Sequence, residues 1–140
     1  MAGIKERFAS ALLADSGVSS FIGNRLDRQL PQNPVFPCCS YARISDVPLY
    51  SQEHDSAQGT TRWARFQVDV WSKSDIEADQ VADAIEAALQ TFNLWLQPSS
   101  PFVLTSAPNT VLMRRDGIEP NTQPPIFREI LDIKVWYSVQ

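Results

Sequence analysis

The chain has 140 residues, of which 44% are hydrophobic and 20% are charged, and its formal net charge at pH 7 is -4. That length predicts a single domain over residues 1–140, with one apolar core that needs neither a metal nor disulfides. The acidic balance disfavours nucleic-acid binding through phosphate neutralisation, because that mode calls for a basic surface.

The N-terminal segment has the pattern of an amphipathic helix. Ile4, Phe8 and Leu12 recur at helical spacing, and Gly17 follows as a stop signal. This pattern predicts a helix over residues 3–15 with one face to bury. The charged residues within it interrupt the apolar run that a secretory signal needs, so we expect a protein made in the cytoplasm. We also expect no membrane partner, since no stretch is apolar for long enough to span a bilayer.

The next part of the chain alternates between structured and irregular segments. Residues 18–26 predict a short further turn of helix, and the three prolines of residues 31–37 indicate a connector that cannot lie inside a sheet. Residues 38–45 alternate weakly and predict a strand. Residues 47–60 are polar and contain Pro and Gly, which predicts a long loop.

The clearest pattern in the middle of the chain is a strand that leads into a capped helix. Residues 63–71 alternate apolar and polar, which predicts a strand with one core face. Ser74 and Glu77 have the spacing of a capping box, so the helix is expected to begin at Asp75. Its apolar stripe then recurs at helical spacing through Ala78, Val81, Ile85, Ala88 and Phe92.

The C-terminal part predicts further strands. Residues 102–106 and 110–116 are short apolar runs, and residues 117–126 form a Pro-rich loop. Residues 127–139 alternate strictly and give the strongest strand signal in the chain.

This order of elements favours an α+β domain with an antiparallel sheet of about four to five strands and two helices packed on one face. The alternation places Arg65, Asp69, Trp71, Asp132, Lys134 and Trp136 on the other face. Two tryptophans on a solvent face are a large apolar area, so we expect either a partner there or cover by side chains from the long loops.

No group of residues in the sequence indicates catalysis, a metal site or a cofactor. His54 is the only histidine and lies between Glu53 and Asp55 in the predicted loop, which favours a solvated side chain. Cys38 and Cys39 are adjacent in a strand and point to opposite faces, so they are expected to be free and buried rather than reactive. One histidine with two adjacent cysteines is also poor spacing for zinc.

Two charged features have ordinary structural interpretations. The acidic residues between Asp75 and Glu86 recur at helical spacing, which indicates a solvated helix face rather than a cation site. Arg114 and Arg115 are typical of charges that protect an edge strand from aggregation, although contact with nucleic acid or with a partner's carboxylates is an alternative.

Four segments in order carry a resemblance to a known family: residues 12–26 (LLADSGVSSFIGNRL), 31–45 (PQNPVFPCCSYARIS), 64–89 (ARFQVDVWSKSDIEADQVADAIEAAL) and 127–139 (FREILDIKVWYSV). The chain resembles the tail completion, or tail terminator, proteins of long-tailed bacteriophages, which are small α+β proteins. The Val-Asp-Val-Trp strand followed by a capped helix is the most telling part.

The resemblance implies a structural, non-enzymatic virion protein. Its expected role is a homo-oligomeric ring, often of six subunits, on the head-proximal end of the tail tube, where it ends tube polymerisation and joins the head. The expected partners are further copies of the chain, the tail tube protein and a head completion or connector protein. DNA is expected to pass through the lumen without specific binding, and a monomer before docking stays an alternative.

Residues expected to contact neighbouring subunits or partners come from the long loop, the uncovered sheet face and the arginine doublet. They are Tyr50, Glu53, His54, Asp55, Arg65, Asp69, Trp71, Arg114, Arg115 and Trp136. Three alternatives stay open: a head-closure, connector or other minor tail protein; a small enzyme or regulator that uses His54 or Cys39; and a nucleic-acid binder, which the acidic balance disfavours.

Overall fold

A computed structural model of the chain describes residues 3–48, 60–90, 102–104, 110–119 and 125–139. These residues form three helices: α1 (Ile4–Ala14), α2 (Ser16–Ile22) and α3 (Asp75–Gln90). They also form six strands: β1 (Leu26–Asp27), β2 (Cys38–Pro48), β3 (Thr60–Ser72), β4 (Phe102–Leu104), β5 (Thr110–Glu119) and β6 (Ile126–Val139). The α+β class predicted from the sequence is confirmed.

The strands form one sheet in the order β1, β2, β3, β6, with β4 and β5 both paired to β6. β4 pairs with residues 137–139 of β6 and β5 pairs with residues 126–134, so the two short strands follow one another along the same edge. The sheet therefore has five strand positions, in line with the four to five expected. It is mixed rather than purely antiparallel, because β1 pairs with β2 in parallel.

The core face of the sheet follows from the register of the two longest strands. Phe66 pairs with Ile133 and Val68 pairs with Leu131, and all four side chains are fully buried. Phe8 of α1 stacks on Phe66 with ring centres 4.1 Å apart. Buried residues of all three helices join the same cluster. We call the opposite face of the sheet the outer face.

The N-terminus of α3 is held by three hydroxyl and carboxylate contacts. The Glu77 backbone N–H donates to Ser74 Oγ at 3.3 Å, which is the predicted cap. The Glu77 carboxylate does not return to Ser74, as a full capping box requires. It accepts instead from the buried Ser72 hydroxyl at 2.7 Å, and Ser72 Oγ accepts the Ser74 N–H at 3.1 Å. Ser72 thus joins the end of β3 to the start of α3.

The strands extend further into the predicted loops than local composition indicates. β2 continues to Pro48 and β3 begins at Thr60, while β5 continues to Glu119 and β6 begins at Ile126. The expected loop bounds of 47–60 and 117–126 are therefore too wide, because pairing to a neighbouring strand outweighs the Gly and Pro signals. Among the described residues, none of the helices combines the length and apolar character that crossing a membrane requires.

Candidate assembly surfaces

Charged side chains on the outer face pair across neighbouring strands. Arg65 on β3 binds Asp132 on β6. Arg128 on β6 donates to Asp69 Oδ2 at 2.8 Å, and Gln67 donates to Asp69 Oδ1 at 3.1 Å. Cross-strand pairs of this kind help to fix strand register. Arg65 and Asp69, both expected at an interface, are thus already bound within the chain.

The tryptophans of β3 are covered in part by cations from β6. The Arg128 guanidinium lies 4.7 Å from the ring centre of Trp71, and Lys134 Nζ lies 4.6 Å from that of Trp63. Trp71 also donates its indole N–H to Ser40 Oγ at 3.4 Å. These cation–π contacts relieve some of the apolar exposure expected on this face. Contact of Trp71 with a partner remains a prediction.

Arg114 joins β5 to both β6 and α3. Its Nε donates to Glu129 Oε1 at 2.5 Å, while Nη1 and Nη2 donate to Asp83 and Asp79 at 2.7 and 2.6 Å. Glu86 lies 3.7 Å from Nη1. The acidic face of α3, expected to be solvated only, therefore holds an arginine of the sheet.

Burial and neighbouring charges both shift the pKa values of Arg114 and Glu129. Burial raises the pKa of Glu129 from its ordinary value of 4.5 to about 7, the neighbouring Asp116 also raises it, and Arg114 lowers it. Burial opposes the charge of Arg114, but Glu129 and Asp83 raise its pKa above the ordinary value. Arg114 therefore has an intramolecular role. Arg115 points to the outer face and is exposed.

An acidic groove of about 360 Å³ lies between the N-terminus of α3 and β5. We define the acidic groove by the residues that line it: Asp75, Asp116, Gly117, Ile118 and Phe127. Ile118 is 62% exposed, and the adjoining Ile76 on the first turn of α3 is 73% exposed. The groove thus combines apolar side chains open to solvent with two carboxylates.

A basic pocket of about 200 Å³ lies where α1 and the residue after β1 meet β2. We define the basic pocket by its lining residues: Lys5, Arg28, Tyr41, Ala42 and Arg43. Arg43 is paired with Asp46 at 3.5 Å. Burial raises the pKa of Tyr41, and the nearby Arg28 lowers it. The pocket gathers three cations in a chain whose net charge is negative.

The predicted interface residues fall into three groups. Arg65, Asp69 and Trp71 come together on the outer face with Arg115, whereas Arg114 lies on the core face. Trp136 belongs to β6, but its side chain lies outside the described residues. The loop residues Tyr50, Glu53, His54 and Asp55 lie outside them too.

Neither cysteine has the environment of a nucleophile. Cys38 and Cys39 are free and buried. Burial raises the pKa of Cys38 to about 11 and raises that of Cys39 further, so both thiols are protonated at neutral pH. Within the described ranges, no three His, Cys, Asp or Glu side chains are arranged to hold a metal.

Sequence reasoning missed both the acidic groove and the basic pocket. The basic pocket joins Lys5, Arg28 and Arg43, which are far apart in the chain and form no motif. For the groove a signal was available. Ile76 falls outside the apolar stripe of α3, and Ile118 stands alone in a Pro-rich segment. An isolated Ile that does not fit the apolar pattern of its element predicts an exposed apolar surface of this kind.

No curated protein matches the chain in sequence. A solved structure, a chain from the "Virion of native gene transfer agent (GTA) particle", shares the fold with a TM-score of 0.66 and 14% identity. The match covers 96% of this chain and 94% of that one.

A family model matches nearly the whole chain. The model is that of the Tail completion protein gp17 family, and the match runs over residues 6–138. All three helices except the first two residues of α1, and all strands except the last residue of β6, lie within it. The resemblance of the four segments to phage tail completion proteins is thereby confirmed, and the chain belongs to the Tail completion protein gp17 family.

Proposed function

We propose that the chain forms a ring on the head-proximal end of a phage tail tube, ends tube polymerisation there and provides the surface that joins the head. Membership of the Tail completion protein gp17 family makes it a structural protein of a phage-type virion. The observation that carries the finer proposal is the family match over residues 6–138, which is nearly the whole chain.

The geometry supports a role in assembly rather than in chemistry. The described residues offer two surface depressions of opposite charge, and the thiols are buried and protonated. The similar fold in a gene transfer agent virion fits a part that is used in phage-type particles. The partners we propose are further copies of the chain, the tail tube protein and a head completion or connector protein. Assembly takes place in the host cytoplasm.

The experiment combines light scattering and electron microscopy on the purified full-length chain. The expected result is a closed ring, with six copies as the proposed number, that docks on one end of purified tail tubes. Binding along the whole tube, or open filaments in place of rings, would contradict the proposal, because a heterologous contact that does not close gives filaments.

A further inference from the structure

The acidic groove and the basic pocket occupy opposite edges of the same sheet. Asp116 pairs with Glu129 and so lies on the core face of β5, the strand beyond β6. Tyr41 pairs with Val68 and so lies on the core face of β2, the strand on the other side of β3. Three strand spacings separate β2 from β5, which is about 14 Å. The charges of the two depressions are therefore too far apart to pair within one chain.

The cations of the basic pocket are available to a second molecule. Lys5 and Arg28 form no ion pair with any residue that the structure describes, and Arg28 is exposed. An exposed apolar side chain follows the pocket residues along β2: Ile44, next to Arg43 in the chain, is 53% exposed. A surface that combines unpaired cations with open apolar groups is suited to a partner that is both acidic and apolar.

The acidic groove has that complementary composition. Asp75 is exposed and, among the described residues, forms no ion pair. Ile118, which also lines the groove, supplies exposed apolar area, and the exposed Ile76 follows Asp75 in the first turn of α3. Two different, complementary patches on opposite edges of one subunit are what a head-to-tail contact requires, since each subunit offers one patch to each neighbour. This match of charge and apolar area favours a second copy of the chain over an unrelated occupant.

We propose that the acidic groove of one chain receives the basic pocket of the next copy, so that successive subunits join head to tail through these two surfaces. The inference rests on the proposed ring, and it assigns the residues that hold neighbouring subunits together. Arg28 and Lys5 of one subunit face Asp75 and Asp116 of its neighbour, and exposed isoleucines of both subunits are buried between them.

Charge reversal on each side of the contact tests the assignment with the full-length chain. Arg28→Glu and Asp75→Lys each place like charges across every junction. Each variant alone is expected to lower the self-association constant by about tenfold or more, because like charges at a contact cost over a kcal/mol. In an equal mixture of the two variants, reversed charges face each other at every second junction and native charges at the rest. Association of the mixture should return to near the wild-type level.

Gln90→Lys is the matched control. It adds a lysine to an exposed position on the same helix, about 22 Å from Asp75 along the helix axis, and is expected to leave association unchanged. Circular dichroism checks that every variant folds. Should Asp75→Lys fail to fold, Ile118→Lys tests the groove instead. Ile118 is exposed and uncharged, so its substitution breaks no ion pair within the chain.

Light scattering across concentration, with zero-length carbodiimide cross-linking of amines to carboxylates, gives distinguishable outcomes. Intermolecular cross-links from Lys5 to Asp75 or Asp116 are the expected result. Single variants that associate as well as wild type, or a mixture that does not recover, would overturn the assignment and leave a ring joined through other surfaces. A wild-type chain that stays monomeric by light scattering at millimolar concentration, alone and with purified tail tubes, would overturn the ring itself.

Discussion

The ionisation of Glu129 is coupled to folding. This residue lies on the core face of β6, is 3% exposed, and contacts both Arg114 and Asp116. Burial raises its pKa from 4.5 to about 7 in the folded chain. Between these values the folded state keeps a proton that the unfolded state releases. The contribution of this group to the free energy of unfolding is therefore full below pH 4.5 and is lost as the pH rises through about 7.

Glu129→Gln removes this titration and retains a group that accepts from Arg114. The free energy of unfolding of wild type, relative to the variant, is expected to fall between about pH 5 and about pH 8, by at most about 3 kcal/mol. Denaturant unfolding followed by tryptophan fluorescence at the two pH values measures the difference. An unchanged difference, or a rise with pH, would show that Glu129 is ionised in the folded chain throughout this range.

At the scale of elements, Arg114 connects the edge strand β5 to α3. Its guanidinium binds Glu129 on the neighbouring strand and Asp79 and Asp83 on the helix, and its side chain is 20% exposed. Asp79 and Asp83 are 62% and 63% exposed, so the buried part of this cluster is the contact between Arg114 and Glu129. Removing the partner of a buried hydrogen-bonded group costs about 1–3 kcal/mol.

Arg114→Met is therefore expected to lower the free energy of unfolding by about 2 kcal/mol. Arg115→Met is the matched control: the adjacent arginine is exposed on the outer face, and the same substitution there should change stability by less than about 0.5 kcal/mol. Urea unfolding of both variants makes the comparison. Equal losses in the two variants would contradict the role assigned to Arg114.

The part of the structure that could be predicted from the sequence differs from element to element. Alternation in β3 and β6 and the cap of α3 were predictable, because each depends on neighbouring residues. The Ser72 contact with Glu77 and the parallel pairing of β1 with β2 were not, because they depend on where distant segments lie. The same reason explains Arg114. Its position on β5 was visible, but the register that turns it toward α3 depends on a bulge between Val111 and Met113.

At the scale of the whole molecule, the two edges of the sheet carry different kinds of surface from its two faces. The core face is filled by helix and strand side chains, and the outer face carries paired charges and covered tryptophans. At opposite edges, the groove combines two carboxylates with the exposed Ile118, and the pocket gathers three cations. Under the proposed head-to-tail contact, each subunit would join its neighbours through these two edges and leave its other surfaces for the tail tube and the head.

The central claim is that the chain ends tail polymerisation, and tail length in a phage that lacks its gene tests it most directly. Electron micrographs of lysates, with tails measured from baseplate to free end, should reveal overlong tails without heads, and normal length should return when the gene is supplied in trans. Tails of normal length joined to heads would contradict the account. Normal tails beside filled, tailless heads would assign the chain to the head connector instead.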